Sequence, residues 1–443
     1  MKRRTLVTSI AVAPLVGALT ACGSSTATNA ASASGGSAAP SGDISFAFWG
    51  GQQRVERTQA VIDLFHKAFP DVTVTPTATG DFNAYWQQST VQAAGNNMAS
   101  VPQMQNRTLA DYADRGALAP LDDLVASGAI DVSNIPKSVV ASGRGKDGKQ
   151  YMIPYGAAFA SLMVDTTVIG KLGLELPPKG YTWEWLSDWL GQISKKSGAP
   201  AINVFGGTSD ELEAWARTHG EQLYNDDGTV GVTAGTVAGF WNYMMGLIQS
   251  GKSQSAQAGV EQQKLPLEQQ PISQGKAPTM FWPANGVATV QSTLDKITPG
   301  HEIQVFPMPS GSEGVPGNAL WLSGLSISKN CKNVPAAAAF INFFLNDKDG
   351  ALAFQSDNGV TANTVNLDAL LAASTISAAL KKQMNLYKTL SGMNLAPSYY
   401  GKAMAQVFQQ NLISAFQSVS FAPGTVDSTA AQFIKDAKQA TGK

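Results

Sequence analysis

Residues 44–75 read ISFAFWGGQQRVERTQAVIDLFHKAFPDVTVT. Residues 44–48 alternate apolar and small side chains, as a strand does, and Gly50-Gly51 follow as a turn. Val61, Ile62, Phe65 and Phe69 then recur at helical spacing until Pro70 stops the helix, and residues 72–75 alternate again. Strand, loop, helix and strand in that order predict an α/β chain with a parallel sheet covered by helices. A similar stretch recurs near Phe281 and over 303–306, with helical segments at 183–193, 234–248 and 336–345. The last hundred residues read as helices. One stripe is Ile376, Leu380, Met384 and Tyr387; another is Met404, Val407, Phe408, Phe416 and Val419. Pro423-Gly424 set off a final helix carrying Ala430, Phe433, Ile434 and Ala437, and no internal repeat is visible.

Upstream of this unit the chain opens on Lys2, Arg3 and Arg4, followed by an apolar run closing on Leu19-Thr20-Ala21-Cys22. A basic cap, an apolar core and a small-residue cleavage site describe a secretory signal over 1–21. Leu-Thr-Ala-Cys resembles the bacterial lipobox, which implies a diacylated Cys22 as the mature N-terminus and a place outside the cytoplasmic membrane. Residues 23–42 are Gly, Ser, Ala, Thr, one Asn and one Pro up to Ser41-Gly42, without charge or large apolar side chains. Residues 22–42 are therefore expected to be a flexible tether, with a typical span of about 25 Å. The run over 5–21 is short for a membrane span and contains Pro14 and Gly17. Cys331 is the other cysteine and is expected to be a free thiol.

About 400 residues follow the tether, more than one core usually serves, so two domains are expected. Charged residues make up 14% of the chain, below the ~25% of ordinary soluble proteins. Loss of the signal removes three cations and no acid, taking the net charge from −1 to −4. The chain has no basic patch for nucleic acid and no polybasic membrane stripe. A neutral or weakly charged partner fits this balance, and nine Trp with ten Tyr point to one with apolar faces.

FAFWGGQQR (46–54) followed by FHKAFPDVTV (65–74) is similar to the opening of the family 1 extracellular solute-binding proteins, which serve ABC importers of sugars. The similarity continues through YADRGALAPLDDL (112–124), GKDGKQYMIPYG (145–156), LPPKGYTWEWL (176–186), QGKAPTMFWP (274–283) and LSGLSISKNCKNVPAAAAFINFFLND (322–347). This resemblance implies a two-lobed α/β fold of the periplasmic-binding-protein type, with hinge crossovers and a ligand cleft between the lobes. Mapped here, lobe one takes 43–153 plus 281–322, and lobe two takes 154–280 plus 323–443. The implied hinges are 152–156, 279–282 and 320–325. The resemblance further implies a monomer that closes on a carbohydrate and delivers it to a membrane permease.

A sugar presents C–H faces rimmed by hydroxyls, so its pocket needs aromatic platforms among amide, carboxylate and guanidinium groups. Trp49 ends the first strand, where the crevice of an α/β sheet lies, and Arg54 opens the following helix. Trp86, Tyr155 in the first crossover, Trp282 in the second, and Trp321 with Gly324 in the third complete the expected aromatic and hinge contacts. Trp183, Trp185 and Trp189 share one helix and read as structural, as do Trp215 and Trp241. Relatives carry aspartates where this chain has Ser100 and Gln105, so the amide of Gln105 is expected at the ligand, with Asn106 and Arg107 as compensating neighbours. The family's late Gly-Val-Pro is Gly359-Val360-Thr361 here. The WGG-x-x-R opening is similar to members that handle oligosaccharides, some of them containing uronic acids.

Catalytic signatures are absent. His66, His219 and His301 match no metal spacing, and GRGKDGK (143–149) lacks the form of a phosphate loop. The expectation is a binding protein without catalytic residues, metal or cofactor. A charged small solute on the same scaffold, or a surface-anchored glycan-degrading enzyme, are the alternatives.

Overall fold

The computed structural model describes residues 39–204, 207–393 and 395–442. The signal segment, Cys22 and the tether up to residue 38 lie outside the described residues. Among the described residues ten strands form two sheets: β1 Gly42–Trp49, β2 Val72–Thr79, β3 Val101–Gln105, β4 Ile153–Ala158, β5 Ala160–Asp165, β6 Ile202–Asn203, β7 Thr279–Pro283, β8 Ile303–Phe306, β9 Trp321–Leu325 and β10 Val360–Thr361. The first sheet has the order β10-β4-β9-β3-β1-β2 and the second β6-β7-β5-β8.

The β-α-β unit forms as its sequence predicts. Ile44, Phe46 and Phe48 turn to one face of β1 and are buried, and β1 pairs with β2 in parallel from Gly42↔Val72 to Trp49↔Thr79. Helix α1 (Gln52–Ala68) buries Thr58, Val61, Ile62 and Phe65. It ends at Phe69, whose φ of −131° and ψ of 70° leave the helical region before Pro70. Phe65 meets Phe340 and Phe343 edge-on at 5.2 and 5.5 Å. A phenylalanine buried in this way contributes about 1.5–3 kcal/mol, so α1 and the helix Val334–Asn346 are held to the same sheet. β1 also runs parallel to β3, but β9 pairs antiparallel with both β3 and β4. The sheet is therefore parallel on its β1–β3 side and mixed beyond.

Each sheet has its own core, and the cores reassign two segments. The first core takes residues from 44–159 and 320–395, with Ala284, and includes the helices Val334–Asn346 and Ala378–Ser391. The second takes residues from 160–247 and 400–437, with Phe281 and Met308. A smaller cluster behind the second sheet contains Met280, Val287, Val290, Leu294 and Ile303. Strands β7 and β8 and the intervening helix thus belong with the second sheet, whereas 323–395 belongs with the first. This corrects the expected lobe boundaries: apolar stripes announce a helix but not which sheet it covers.

The crossings move accordingly. The chain passes from the first sheet to the second at Phe159, between β4 and β5, and returns over 307–320 into β9. A third crossing runs over 395–404 and includes Ala403 at a φ of 59°, a conformation costly for a residue with a Cβ. Expected hinge 279–282 is instead strand β7 within one sheet, and 152–156 stops short of the crossing. Among the described residues no helix is long and apolar enough to cross a membrane.

Candidate functional site

The strands β1 and β3 point their C-terminal ends toward a cleft of about 890 Å³. Helices α2 (Phe82–Ala94) and α3 (Asn106–Ala113) rise from this end of the first sheet. Asp81 accepts from the Ala84 N–H at 2.8 Å, an N-cap that fixes where α2 starts. Phe82, Tyr85 and Trp86 then share one face by helical spacing. Phe82 and Trp86 line the cleft, and Phe82 is 41% exposed. Trp321, at the start of β9, supplies another aromatic wall. Across from these lie Asn285 and residues 404–410, mostly a π-helical segment (Ala405–Asn411) of the second lobe. Such segments often sit at functional sites.

Of the residues expected from sequence, Arg54, Trp86, Gln105 and Trp321 line the cleft together. Gln105 ends β3 and pairs with Ser323 of β9, so an amide and a hydroxyl sit side by side on its floor. The indole N–H groups of Trp86 and Trp321 are buried without an acceptor, so it is the ring faces that these residues offer to the cleft. Trp49 lies one layer behind. It is 7% exposed and packs on Phe82, Tyr85 and Trp86 with ring centroids 5.4, 5.3 and 5.7 Å away.

Tyr155 is also buried rather than lining. Its hydroxyl accepts from Asn358 Nδ2 at 2.8 Å and from Gln103 Nε2. Burial pushes it up to about 12, with Arg54 and the Asn358 bond pulling the other way. It remains a neutral phenol that orients Asn358, itself a lining residue. Trp282 is not among the lining residues. It packs with the small cluster behind the second sheet and lies over Gly286, where an added Cβ would sit 2.7 Å from its ring. Gly324 serves the sheet, since a Cβ there would lie 2.3 Å from Met152 Cγ and 2.7 Å from the Ile153 carbonyl. Ser100 exchanges bonds with Ser45 inside the sheet instead of facing a ligand.

Asn106 does not compensate for Gln105. Its Nδ2 donates to the Leu320 carbonyl at 3.1 Å and its Oδ1 accepts from the Leu322 N–H at 2.9 Å, tying α3 to the crossing strand. Arg107 does face the cleft. Its guanidinium carbon lies 4.2 Å from the Trp321 ring centroid, and Nη2 bonds Asp210 Oδ1 at 2.6 Å. Asp210 begins the helix Ser209–Thr218 of the second lobe, so this pair spans the two lobes. Beneath it Glu213 accepts from the Tyr400 hydroxyl at 3.0 and 2.9 Å. Burial raises the Glu213 carboxyl above its ordinary value, while Arg217 and Arg107 oppose the rise.

The loop 355–359 forms the remaining wall and gave no sequence signal beyond Gly359. Gln355 and Ser356 adopt φ of 55° and 53°, strained for side-chain-bearing residues. Arg54 Nε and Arg57 Nη1 hold Asp357 at 2.5 and 2.9 Å, and Arg57 Nη2 holds Gln355 Oε1 at 2.8 Å. Where the family has proline, the Thr361 N–H donates to Ser356 Oγ at 3.1 Å, adding a tie within the loop. Among the described residues no group of three or more His, Cys, Asp or Glu is placed to hold a metal.

Two lobes, each with a sheet and core, around an aromatic and amide-lined cleft define a solute-binding protein of the periplasmic type. The model of the bacterial extracellular solute-binding proteins matches residues 51–351, and the chain belongs to that family. Among solved structures it is similar to a family 1 extracellular solute-binding protein from Alicyclobacillus acidocaldarius, at 24% identity and a TM-score of 0.76, covering 91% of this chain and 99% of that one. The GacH receptor of Streptomyces glaucescens, solved unliganded and with acarbose, is 20% identical with a TM-score of 0.69, covering 91% and 99%. A periplasmic oligogalacturonide-binding protein from Yersinia enterocolitica, in complex with saturated digalacturonic acid, is 19% identical with a TM-score of 0.68, covering 90% and 98%.

Proposed function

We propose that this chain captures an oligosaccharide outside the cytoplasmic membrane and delivers it to the permease of an ABC importer. The observation that carries this reading is the cleft itself: Phe82, Trp86 and Trp321 offer ring faces to C–H surfaces, and Gln105, Ser323 and Asn358 stand where hydroxyls would be read. Relatives of the same fold bind acarbose and digalacturonic acid, in keeping with a carbohydrate here. Cys22 is the lipid attachment point after removal of 1–21, and the tether lets a monomeric receptor reach its permease. The lobes comprise 42–159 with 320–395, and 160–319 with 396–442, and ligand draws them together by population shift.

The enzyme alternative lacks its chemistry. Glycosidases need two carboxylates flanking the scissile bond, one as proton donor and the other free to act as base or nucleophile, but of the acids lining the cleft, Asp111 and Asp357, the second has both carboxylate oxygens engaged by Arg54 and Arg57.

The test is a thermal-shift screen of the chain from Gly42 against mono-, di- and oligosaccharides and charged solutes. A ligand at a hundred times its Kd adds about 2.7 kcal/mol of stability. One sugar series is expected to raise the melting temperature, with the rise lost in Trp86→Ala and Trp321→Ala. Stabilisation by charged solutes alone, or release of shorter sugars during incubation, would refute the reading.

A further inference from the structure

We propose that the cleft selects uncharged oligosaccharides and discriminates against uronate- or phosphate-bearing ones; this rests on the carbohydrate reading above. The argument is an inventory of charge. Three arginines line the cleft, and the two that are part-buried in its walls, Arg54 and Arg107, already have anionic or acceptor partners. Arg54, the residue of the WGG-x-x-R opening, spends Nε on Asp357 Oδ2 at 2.5 Å, Nη1 on the Trp49 carbonyl at 3.0 Å and Nη2 on the Asp357 carbonyl at 3.1 Å. Arg107 is taken by Asp210 and the Trp321 ring. Arg115 is exposed at the rim beside Asp111, which it attracts together with Lys402.

A ligand carboxylate needs a cation fork that is free to rotate onto it. To recruit Arg54 it would have to displace Asp357, leaving that carboxylate, only 10% exposed, with one arginine. It would also meet the negative charge of Asp111 and Asp357 in the same wall. Losing one partner of a desolvated ion pair costs more than a new exposed contact returns.

The uncommitted polar groups are of another kind. Among the described lining residues, the side-chain amides of Asn83, Gln87, Gln105, Asn285, Gln409 and Gln410 have no hydrogen-bond partner in the protein. An amide both donates and accepts, matching a hydroxyl in either role, whereas it supplies no charge to a carboxylate. They come from both lobes, with Asn285, Gln409 and Gln410 facing the others, so closure would bring two neutral walls onto one ligand.

The experiment is calorimetric titration of the chain from Gly42 with neutral di-, tri- and tetrasaccharides and with galacturonate and glucuronate oligomers of equal length. The best neutral series is expected to bind at least tenfold more tightly than any acidic one, with little dependence on salt between 50 and 500 mM. The variant Asp357→Asn leaves Arg54 and Arg57 unneutralised and is expected to gain salt-sensitive affinity for digalacturonate. Acidic oligomers binding the unaltered chain as tightly as the neutral ones would overturn the proposal while leaving the carbohydrate reading intact. No heat and no thermal shift with either series would instead defeat the carbohydrate reading, and this proposal with it.

Discussion

Helix α3 separates two cavities that differ in how they use polar groups. Arg107, Thr108, Asp111 and Tyr112 face the cleft of about 890 Å³, whereas Asn106, Leu109, Ala110 and the following Asp114 face a cavity of about 320 Å³ at the opposite seam of the lobes. The smaller one is closed by residues 142–146 of the first lobe and by 225–228 and 399–402. Its buried acid is satisfied internally: Asp114 pairs with Lys146 at 2.7 Å and Lys402 at 3.5 Å. In the cleft Arg54 and Arg107 are likewise paired with Asp357 and Asp210, but amides and aromatic faces are left over. A surplus of neutral hydrogen-bonding capacity beside exposed rings, rather than polarity as such, distinguishes a site built for a partner from a seam built for itself.

The largest effect expected from this contrast is on binding. Trp86→Ala and Trp321→Ala should each cost about 2 kcal/mol or more, roughly 30-fold in Kd by calorimetry, as truncation of a central aromatic anchor does. Asp114→Asn in the seam should leave Kd within about twofold. An equal loss from both faces of α3 would erase the distinction.

Next is the pair that crosses between lobes on the cleft side. Arg107→Ala removes the partner of Asp210 and the cation over Trp321. With side chains 15% and 21% exposed, the expected loss in urea unfolding is about 1–3 kcal/mol, below that of a fully buried pair. No loss of stability would show that the lobes do not depend on this contact.

Glu213, below that pair, provides a test by pH. Its carboxyl is raised in the folded protein, so the native state binds more protons than the unfolded chain above the ordinary carboxylate range. Its contribution is therefore most favourable at acid pH and declines as pH rises through the elevated value. Glu213→Gln should flatten that part of the stability profile, measured by urea unfolding between pH 4 and 8. An unchanged slope would place the titration elsewhere.

The smallest effect belongs to the seam. Lys146 is 48% exposed, so Lys146→Ala should cost under about 1 kcal/mol and lose that difference in high salt. A larger loss, or weaker sugar binding, would make the seam part of the closing machinery.

Much of this architecture can be read in the chain, element by element. The alternation at 44–48, the stripe from Val61 to Phe69 with Pro70, and the alternation at 72–75 predict β1, the end of α1 and the start of β2, because each signal is local. Phe82 carries no sequence signal of its own although it shares the helical face of Trp86, and only their common placement on the cleft shows its value. Trp282 and Trp321 look alike in sequence, each beside small residues in an apolar strand. One turns behind the second sheet and the other into the cleft, since a one-residue change of register exchanges the faces of a strand.

The chain read alone settles the β-α-β opening, the helices of the last hundred residues, the family, and the supply of aromatic residues. Those properties depend on neighbours a few residues apart. Folding then settles which helices cover which sheet, which tryptophans line the cleft, and that Arg54 is bonded to Asp357. Asp357 lies some 300 residues beyond Arg54 in the chain, yet 2.5 Å from it in space. A side chain's charge is written in its own residue, but whether that charge is free is set by the partner that folding brings to it.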